Sequence, residues 1–269
     1  MHSLLNDPTL DLSDRVALVT GAGRGIGRSV ASALATAGAR VLVAARTVDQ
    51  ITATVTQILA AGGAAVALPV DLTELDSVHA LADKASGAFG PVDILVNNAA
   101  TVQPLGSLVE VDWDEATLSL RLNLIAPAAL GALLLPGMVQ RGWGRIVNVS
   151  SGVVARPGSM GGGNVYTAGK AGLEAHTLNL AAELAGSGVT ANVYRPGSVD
   201  TAMQASVRNH RPTAGTQALV EHFRRTYAGR RLLAPDESAA RLLGRLGSDD
   251  NGAVWDVADP QPSSEGARA

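Results

Sequence analysis

The stretch RVALVTGAGRGIGRSVASALATAG (residues 15–38) decides the fold, because it joins a β-branched apolar run to an Ala-rich helical segment through four closely spaced glycines. Glycines at a strand-to-helix turn allow a tight bend and let the backbone approach a phosphate at the helix N-terminus. The spacing is TGxxxGxG and not a strict GxGxxG. A dinucleotide site is one interpretation of the stretch, and a purely structural glycine turn is the other.

Similar apolar runs recur along the chain, and helical segments separate them. They occupy residues 39–45, 64–70, 92–98, 144–150, 189–195 and 252–257. Strands that alternate with helices and are buried on both faces predict an α/β fold with a Rossmann-like, doubly wound, seven-stranded parallel sheet flanked by helices on both faces. No break in composition divides the series, so we expect one domain at 13–257, with tails at 1–12 and 258–269.

Composition excludes several classes of protein. The 269 residues carry a formal net charge of -3 and contain no cysteine, so nothing favours nucleic acid, and a disulfide framework or a cysteine-ligated metal is excluded. We expect no metal. The N-terminus lacks the pattern of a signal peptide. The longest apolar stretch, 124–138, contains Pro127 and Pro136 and is expected to be too short to span a membrane, so a cytoplasmic location is predicted.

The end of the second strand predicts which dinucleotide is bound. NAD-binding folds usually carry an acid there for the ribose hydroxyls, but this chain has Ala45 followed by Arg46. Arg24, in the glycine turn, adds a second guanidinium that could grip a 2′-phosphate, which favours NADP(H) over NAD(H). Both arginines could instead be solvated loop charges. Asp71 could accept from the adenine amino group or cap the following helix.

Tyr166 and Lys170 are four residues apart in a predicted helix and should share one face. A tyrosine with a pKa of about 10 exchanges protons poorly at neutral pH unless a nearby positive charge stabilises its phenolate. The pair therefore predicts a tuned proton donor or acceptor. A surface tyrosine beside a solvated lysine is the simpler alternative.

The sequence resembles the short-chain dehydrogenase/reductase family over nearly its whole length, in the single-domain branch. Its motifs occur in the family's order, although NNAA replaces the usual NNAG. They are TGAGRGIG (20–27), DL (71–72), NNAA (97–100), Asn123, GRIVNVSS (144–151), YTAGK (166–170) and RPGSVDT (195–201).

The resemblance implies roles for matching residues. Tyr166 would be the general acid or base, and Lys170 would lower its pKa and bind the nicotinamide ribose. Ser151 would hold the substrate oxygen, and Asn123 a relay water. The implied cofactor-binding residues, besides Tyr166 and Lys170, are Gly21, Gly23, Arg24, Gly25, Ile26, Gly27, Arg46, Asp71, Leu72, Asn98, Ala99, Ala100, Pro196, Gly197, Val199 and Thr201.

One spacing departs from the family. Ser151 and Tyr166 are 15 positions apart, which is longer than usual, and Ser150 is therefore an alternative for the serine role. The extra length lies in ARPGSMGGGN (155–164), whose glycine run at 161–163 is expected to form a mobile edge of the cleft.

The segment 201–231 is the expected substrate lid. Six arginines and two histidines fall within 208–231 against one acid, Glu221, which could attract an anionic substrate or an acidic carrier protein. The plainer interpretation is a solvated lid whose underside is apolar, with Ala218, Leu219, Phe223 and Tyr227 facing inward.

The expected function is NADP(H)-dependent hydride transfer between nicotinamide and a ketone or secondary alcohol of small or medium size. Reduction of 3-oxoacyl groups on acyl carrier protein is the alternative, and a non-catalytic cofactor-binding regulator is a further one. The resemblance also implies a homo-oligomer, either a tetramer or a dimer, formed by the long helices that carry Asn123 and Tyr166. No nucleic-acid or membrane partner is expected.

Overall fold

Seven strands form one parallel sheet in the order β3-β2-β1-β4-β5-β6-β7, in a computed structural model that describes residues 10–261. This confirms the doubly wound fold class. The strands are β1 (Val16–Thr20), β2 (Arg40–Ala45), β3 (Ala64–Pro69), β4 (Ile94–Asn97), β5 (Gly144–Val149), β6 (Val189–Arg195) and β7 (Val254–Asp256).

Helices connect consecutive strands and cover both faces of the sheet. They are α1 (Gly25–Thr36), α2 (Val48–Ala60), α3 (Leu75–Phe89), α4 (Trp113–Leu120), α5 (Ala126–Gln140), α6 (Asn164–Glu183), α7 (Ala202–Arg208), α8 (Gln217–Ala228) and α9 (Pro235–Leu246). A π-helical turn at Arg121–Ile125 joins α4 to α5, and two 3-10 turns follow β5 at Gly152–Ala155 and Pro157–Met160.

Two apolar clusters fill the space between the helices and the sheet. Successive strand residues point to opposite faces, so Val19 enters the cluster under α1, α2 and α9, whereas Leu18 enters the cluster under α3, α5 and α6. Leu12 also lies in the first cluster, and its N–H donates to the Ala37 carbonyl. The outer parts of the expected tails, 1–9 and 262–269, lie outside the described residues.

The fourth strand is shorter than the predicted run of 92–98. Before the strand, the Asp93 carboxylate accepts from Val16 N at 3.1 Å. After it, Asn98 turns its amide toward the end of β1 and donates to Thr20 O at 3.0 Å. Before β4 the Asp93 carboxylate adds to backbone pairing, since Asp93 N also donates to Val16 O at 2.9 Å, and after β4 the Asn98 side chain continues the link to β1.

The continuous helix Trp113–Gln140 bears on the membrane question. It has 28 residues, and an 18-residue window within it reaches a mean hydropathy of 1.8; within residues 10–261 it is the one helix long and apolar enough to cross a bilayer by length and composition. The expectation that this stretch is too short is wrong, because the helix begins earlier and accommodates both prolines. The finding is weak evidence for a membrane span, since Leu130, Leu134 and Met138 pack into the second cluster as in a core helix.

Candidate active site

The glycine turn leaves room only for backbone. Gly21 has a φ of +64°, which favours glycine, and a Cβ there would lie 2.9 Å from Ala99 Cα. A Cβ on Gly27 would lie 2.4 Å from Gly21 O and 2.5 Å from Asn98 Nδ2. The turn is therefore pressed against the end of β4, as a close approach of helix to strand requires.

The N-terminus of α1 has the properties of an anion site. Within the described residues, no side chain caps the helix at Arg24, and its first turn contains no acidic residue. The first N–H groups of a helix lack intrahelical partners and carry partial positive charge. A nucleotide phosphate fits the chemistry of this position.

Side chains that the sequence did not single out hold the glycine turn in shape. Arg28 Nε donates to Gly23 O at 3.1 Å and to Thr54 Oγ1 at 3.1 Å. Thr54 Oγ1 is also 3.1 Å from Ala22 O. Arg28 and Thr54 lie in regular helices, where a polar residue does not indicate a functional site. They meet only because α2 packs close to the glycine turn.

The ends of β1 and β4 are joined by polar contacts. Thr20 Oγ1 accepts from Asn98 N at 3.0 Å and from Ala99 N at 3.1 Å. Further along the sheet, Asn97 Nδ2 donates to Asn148 Oδ1 at 2.8 Å, which links β4 to β5. Asn98 and Ala99 thus lie beside the glycine turn, while Asn97 connects the central strands.

The other residues predicted to bind the cofactor in the loops after β1, β3 and β4 are buried or half-buried. Leu72 is buried in the second cluster, and Ile26 packs against the first. Ala100 is half-buried after β4. Gly23 lies against α2, where a Cβ would be 2.8 Å from Gln50 Cβ, and Gly25 lies against the segment after β6.

Arg24 and Arg46 are exposed at the ends of β1 and β2. Arg46 Nη1 lies 3.8 Å from Asp71 Oδ2, in an exposed pair that binds weakly. Asp71 does not cap the following helix: its Oδ1 accepts from Thr73 N at 3.0 Å and Thr73 Oγ1 at 2.8 Å, and α3 begins only at Leu75. The Thr73 N–H is the main cause that lowers the pKa of Asp71.

The segment after β6 returns to the glycine turn. A Cβ on Gly25 would lie 3.2 Å from Thr201 Cγ2, and Thr201 Oγ1 caps α7 by accepting from Gln204 N at 3.3 Å. Val199 is buried and pairs with Leu233 in an isolated bridge. Pro196 and Gly197 precede it and turn the chain, with Gly197 at a φ of +76°.

Tyr166 and Lys170 lie in the first half of α6 and are both buried, with 7% and 2% of their surfaces exposed. Lys170 Nζ donates to Val149 O at 2.7 Å, at the end of β5. The alternative of a surface tyrosine beside a solvated lysine is therefore wrong, because the helix turns this face toward the sheet.

The pKa values of the pair differ from the expectation. Burial raises the pKa of Tyr166, and a hydrogen bond with the Ser151 side chain partly opposes the rise. Lys170 does not contribute to that shift. Burial lowers the pKa of Lys170 to about 8, against the raising effect of the Glu174 carboxylate. In the protein alone, the phenol is thus held protonated at neutral pH and the ammonium titrates near it.

The depressed pKa of Lys170 predicts a pH-dependent stability. Between pH 8 and about 10.4 the unfolded chain binds more protons than the folded one at this group, so the free energy of unfolding rises with pH. The test is urea unfolding without nucleotide at pH 7.5 and at pH 9.5. Between these two pH values the free energy of unfolding of the wild type should rise by about 2 kcal/mol more than that of Lys170→Met. A difference that stays constant over this range would contradict the assignment. Above pH 10, the raised pKa of Tyr166 acts in the opposite direction.

Asn123 sits in the π-helical turn and is fully buried. Its side chain exchanges two hydrogen bonds with the backbone of Thr101: Nδ2 donates to Thr101 O at 2.8 Å, and Oδ1 accepts from Thr101 N at 3.2 Å. A Cβ on Gly169 would lie 3.2 Å from Asn123 Cβ, so α6 packs directly on this turn. Isolated π turns in α-helices are frequent at functional sites.

The two serines at the end of β5 have different surroundings. Ser151 is half-buried, its side chain lies near enough to the Tyr166 phenol to lower the pKa of that group, and it caps the first 3-10 turn by accepting from Val153 N at 3.4 Å. Ser150 is buried and donates to Glu174 Oε1 at 2.7 Å. This geometry favours Ser151 for the serine role.

Glu174 and Arg195 form an interior ion pair that the sequence did not predict. Arg195 donates from Nε to Glu174 Oε1 at 2.9 Å and from Nη2 to Oε2 at 2.7 Å. Glu174 lies one helical turn beyond Lys170. The i, i+4 spacing that revealed Tyr166 and Lys170 continues to Glu174, which is the signal that could have identified it.

The lid differs from the expected pattern in detail. Leu219 is buried and Phe223 is partly buried, as predicted, but Ala218 and Tyr227 are exposed, and Val220 is buried instead. Tyr227 stays outside because its ring stacks on the Arg208 guanidinium at 4.0 Å. In the glycine run at 161–163, Gly161 is exposed, whereas Gly163 is buried and Gly162 O accepts from Gly106 N at 2.8 Å.

No cluster of three or more metal-ligating side chains occurs within residues 10–261. The described site consists of a glycine turn, a buried phenol, a buried ammonium and a serine hydroxyl, gathered beyond the carboxyl ends of parallel strands. Open α/β sheets bind their ligands at this edge.

Comparisons with known proteins agree with this geometry. A family model described as short chain dehydrogenase matches residues 15–212. The 3-oxoacyl-(acyl-carrier-protein) reductase of Synechocystis is 36% identical over 252 residues, covering 90% of this chain and 98% of that protein. The enzyme of the same name from Escherichia coli, FabG, is 34% identical over 243 residues, covering 90% and 93%.

The fold agrees as well. A short chain dehydrogenase from Burkholderia cenocepacia, solved in complex with NADP, superposes with a TM-score of 0.77 at 32% identity, covering 91% of this chain and 96% of that one. Because the family model spans most of the chain and near full-length relatives exceed 30% identity, the chain belongs to the short chain dehydrogenase family and is an oxidoreductase of the ketone and alcohol class.

Proposed function

We propose that this protein reduces a ketone with NADPH and that Tyr166 delivers the proton. The observation that carries the proposal is the buried phenol of Tyr166 beside the Ser151 hydroxyl, at the sheet edge where the glycine turn offers a phosphate site. Reduction needs a proton donor at the carbonyl oxygen and a hydride donor at the carbonyl carbon, and the protein must hold both in position on the same carbonyl group.

The chain's own residues divide this task. A bound reduced nicotinamide supplies the hydride. Ser151 donates a hydrogen bond to the substrate oxygen, where negative charge develops, and Tyr166 transfers its proton to the same oxygen. Burial keeps the phenol of Tyr166 protonated at neutral pH, so the donor carries its proton, but the raised pKa by itself makes it a weaker acid, and a positive charge on the bound cofactor would have to lower the pKa.

Lys170 would return a proton to the site. Its pKa of about 8 lets the ammonium give up a proton near neutral pH, and its anchor on Val149 O keeps it at the end of β5. Asn123, fixed by Thr101, would hold the π turn against α6 and keep its backbone ready for a relay water.

The direct test is oxidation of NADPH against a panel of ketones, followed at 340 nm. Turnover supports the enzyme, whereas tight NADPH binding without turnover of any ketone would favour the cofactor-binding regulator. The reduction of 3-oxoacyl groups on acyl carrier protein remains the alternative. It is favoured by the names of the relatives and by exposed Arg224, Arg225, Arg230 and Arg231 on the lid. Equal rates with and without the carrier would contradict it.

Preference for NADPH over NADH is proposed from Arg24 and Arg46 with Ala45 in place of an acid. Arg24→Ala/Arg46→Ala should weaken NADPH binding about 10- to 100-fold, the loss expected for hydrogen bonds to a charged phosphate, and change NADH binding less than twofold. Arg225→Ala, an exposed arginine on α8, is the control. Fluorescence titration measures both affinities; wild-type protein that binds NADH as tightly as NADPH would contradict the preference.

We also propose a homo-oligomer, either a dimer or a tetramer, in a cytoplasmic location. Apolar side chains are exposed on the two helices that carry Asn123 and Tyr166, namely Ile125, Leu133, Val139 and Leu178. A second copy of the chain would cover them, and this explains the apolar character of Trp113–Gln140 without a membrane. Besides a second copy of the chain, the only partner that we propose is the small-molecule carbonyl substrate. We propose no nucleic-acid partner.

A further inference from the structure

Tyr166 belongs to a third apolar cluster, separate from the two that fill the sheet faces. Its other members come from three parts of the chain: the loop after β4, the turns after β5, and the lid. The side chains that matter most here are Val102, Met160, Met203, Val207, Leu219 and Phe223. The phenol is therefore enclosed by the segments that should determine the substrate.

Both lid helices present apolar rows to this cluster. Met203 and Val207 are one turn apart on α7, and Leu219 and Phe223 are one turn apart on α8. Val207 is 1% exposed and Leu219 is 3% exposed, so each row contains a buried side chain. Residues four apart share a helix face, and thus each lid helix has one apolar side turned toward Tyr166.

Two of the lid arginines contact other lid residues or Asp200 and do not join the apolar cluster. Arg208 stacks on the Tyr227 ring and lies 3.5 Å from Asp200 Oδ1, and Arg225 lies 3.6 Å from Glu221 Oε2. Burial raises the pKa of Tyr166 and Ser151 lowers it, and no charged side chain among residues 10–261 contributes to that shift. On the side of the lid, the neighbours of the phenol are therefore the apolar members of this cluster, while Lys170 lies one helical turn away on α6.

Two glycines that lie close to the cluster in sequence, Gly162 and Gly215, are tightly packed. A Cβ on Gly162 would lie 2.7 Å from Thr216 Cγ2, and one on Gly215 would lie 3.0 Å from Ser107 N. Because Tyr166 is only 7% exposed, a substrate has to displace apolar side chains in order to reach it. Met160 and Met203 are unbranched and can adapt to different shapes.

We propose that the substrate carbonyl carries an alkyl chain or an aromatic ring, which binds among Met160, Met203, Val207, Leu219 and Phe223. This specifies the substrate class of the ketone reduction proposed above and rests on it. An apolar group gains free energy with each methylene removed from water, whereas a hydroxyl placed there without a partner loses its hydrogen bonds to water. Polyhydroxylated ketones are therefore poor substrates.

The experiment compares kcat/KM with NADPH for 2-butanone, 2-hexanone, 2-octanone and acetophenone against dihydroxyacetone and fructose. In wild type, kcat/KM should rise about fourfold for each added methylene until the site is filled. The hydroxylated ketones should react more slowly than 2-butanone.

Three variants locate the effect. Leu219→Gln and Met203→Gln should reduce kcat/KM for 2-octanone more than tenfold and for 2-butanone less than threefold, which flattens the chain-length series. Ala218→Gln, at an exposed position of α8, should leave the series unchanged. Thermal unfolding and NADPH affinity show whether each variant is folded; Met203 is only partly buried, so Met203→Gln keeps the test valid if Leu219→Gln unfolds.

The outcomes separate this inference from the proposed function. Tyr166-dependent turnover that favours fructose or dihydroxyacetone, or a flat series in wild type, would overturn the apolar site but leave ketone reduction intact. If no ketone is turned over, binding of 2-octanol to the protein with NADP⁺ is measured by calorimetry. Binding that is weakened in Met203→Gln supports the apolar site although the proposed function fails. Absence of binding overturns the apolar site as well as the proposed function.

Discussion

Replacing Tyr166 with phenylalanine is expected to lower kcat about a thousandfold, the contribution of a well-placed general acid. Phenylalanine fills nearly the same volume in the cluster around residue 166, so only the hydroxyl and its interaction with Ser151 are lost. The affinity for NADPH should stay within about threefold, since the substitution removes a proton donor and not the glycine turn. Stopped-flow or steady-state assays measure kcat, and fluorescence titration measures binding.

The other two tyrosines are matched controls. Tyr194 OH donates to Ser238 O at 2.7 Å in the interior, and Tyr227 is exposed on α8. Tyr194→Phe should cost about 1 kcal/mol of stability from that hydrogen bond and retain turnover. Tyr227→Phe should change neither. If Tyr166→Phe keeps more than a tenth of wild-type kcat, the proton must come from another group.

Replacing Glu174 with glutamine should reduce the free energy of unfolding by about 3 kcal/mol. The change leaves Arg195 without its bidentate partner in a position where both side chains are largely buried, at 18% and 8% exposure. Removing one member of such a pair is costly because the remaining charge stays away from water. Urea unfolding at pH 7.5 measures the loss.

A double-mutant cycle tests the cause. The cycle compares the double variant Glu174→Leu/Arg195→Met with Glu174→Leu and Arg195→Met alone. The double variant should lose about 2 kcal/mol less free energy of unfolding than the two single variants lose together, because no unpaired charge is left behind. Glu221→Gln, in the exposed pair with Arg225, should cost less than about 0.5 kcal/mol. Additive single effects at residues 174 and 195 would contradict the coupling. Loss of Glu174 should also lower the pKa of Lys170 further, since its carboxylate opposes the effect of burial.

The two serines after β5 illustrate what needs the tertiary structure. Both residues are polar, adjacent and at the end of a buried strand, so the sequence offers each as a candidate. In the fold, Ser150 turns to Glu174, and Ser151 turns to Tyr166. Adjacent residues at a strand end point to opposite sides, and which side holds the phenol depends on where α6 packs.

The lid shows a similar division. Helical spacing predicted an apolar underside, and Leu219 and Phe223 follow it. It did not predict that Tyr227 remains outside to stack on Arg208, because that contact joins α8 to α7 and depends on how the two helices meet. For the pKa of Tyr166, the sequence predicted a lowered value from Lys170 together with a bound nicotinamide, and in the protein alone burial raises it.

The sequence by itself determined the order of strands and helices, the glycine turn, and the Tyr166 and Lys170 pair, because each is carried by consecutive residues through strand alternation, glycine φ freedom or the helical repeat. Only the tertiary structure decided which serine meets the phenol, which acid pairs with Arg195, and which side chains enclose Tyr166. Those contacts join segments 15 to 64 positions apart, as in Ser151 with Tyr166 and Val102 with Tyr166. Burial and charge pairing depend on how the helices pack on the sheet, and no local pattern encodes that packing.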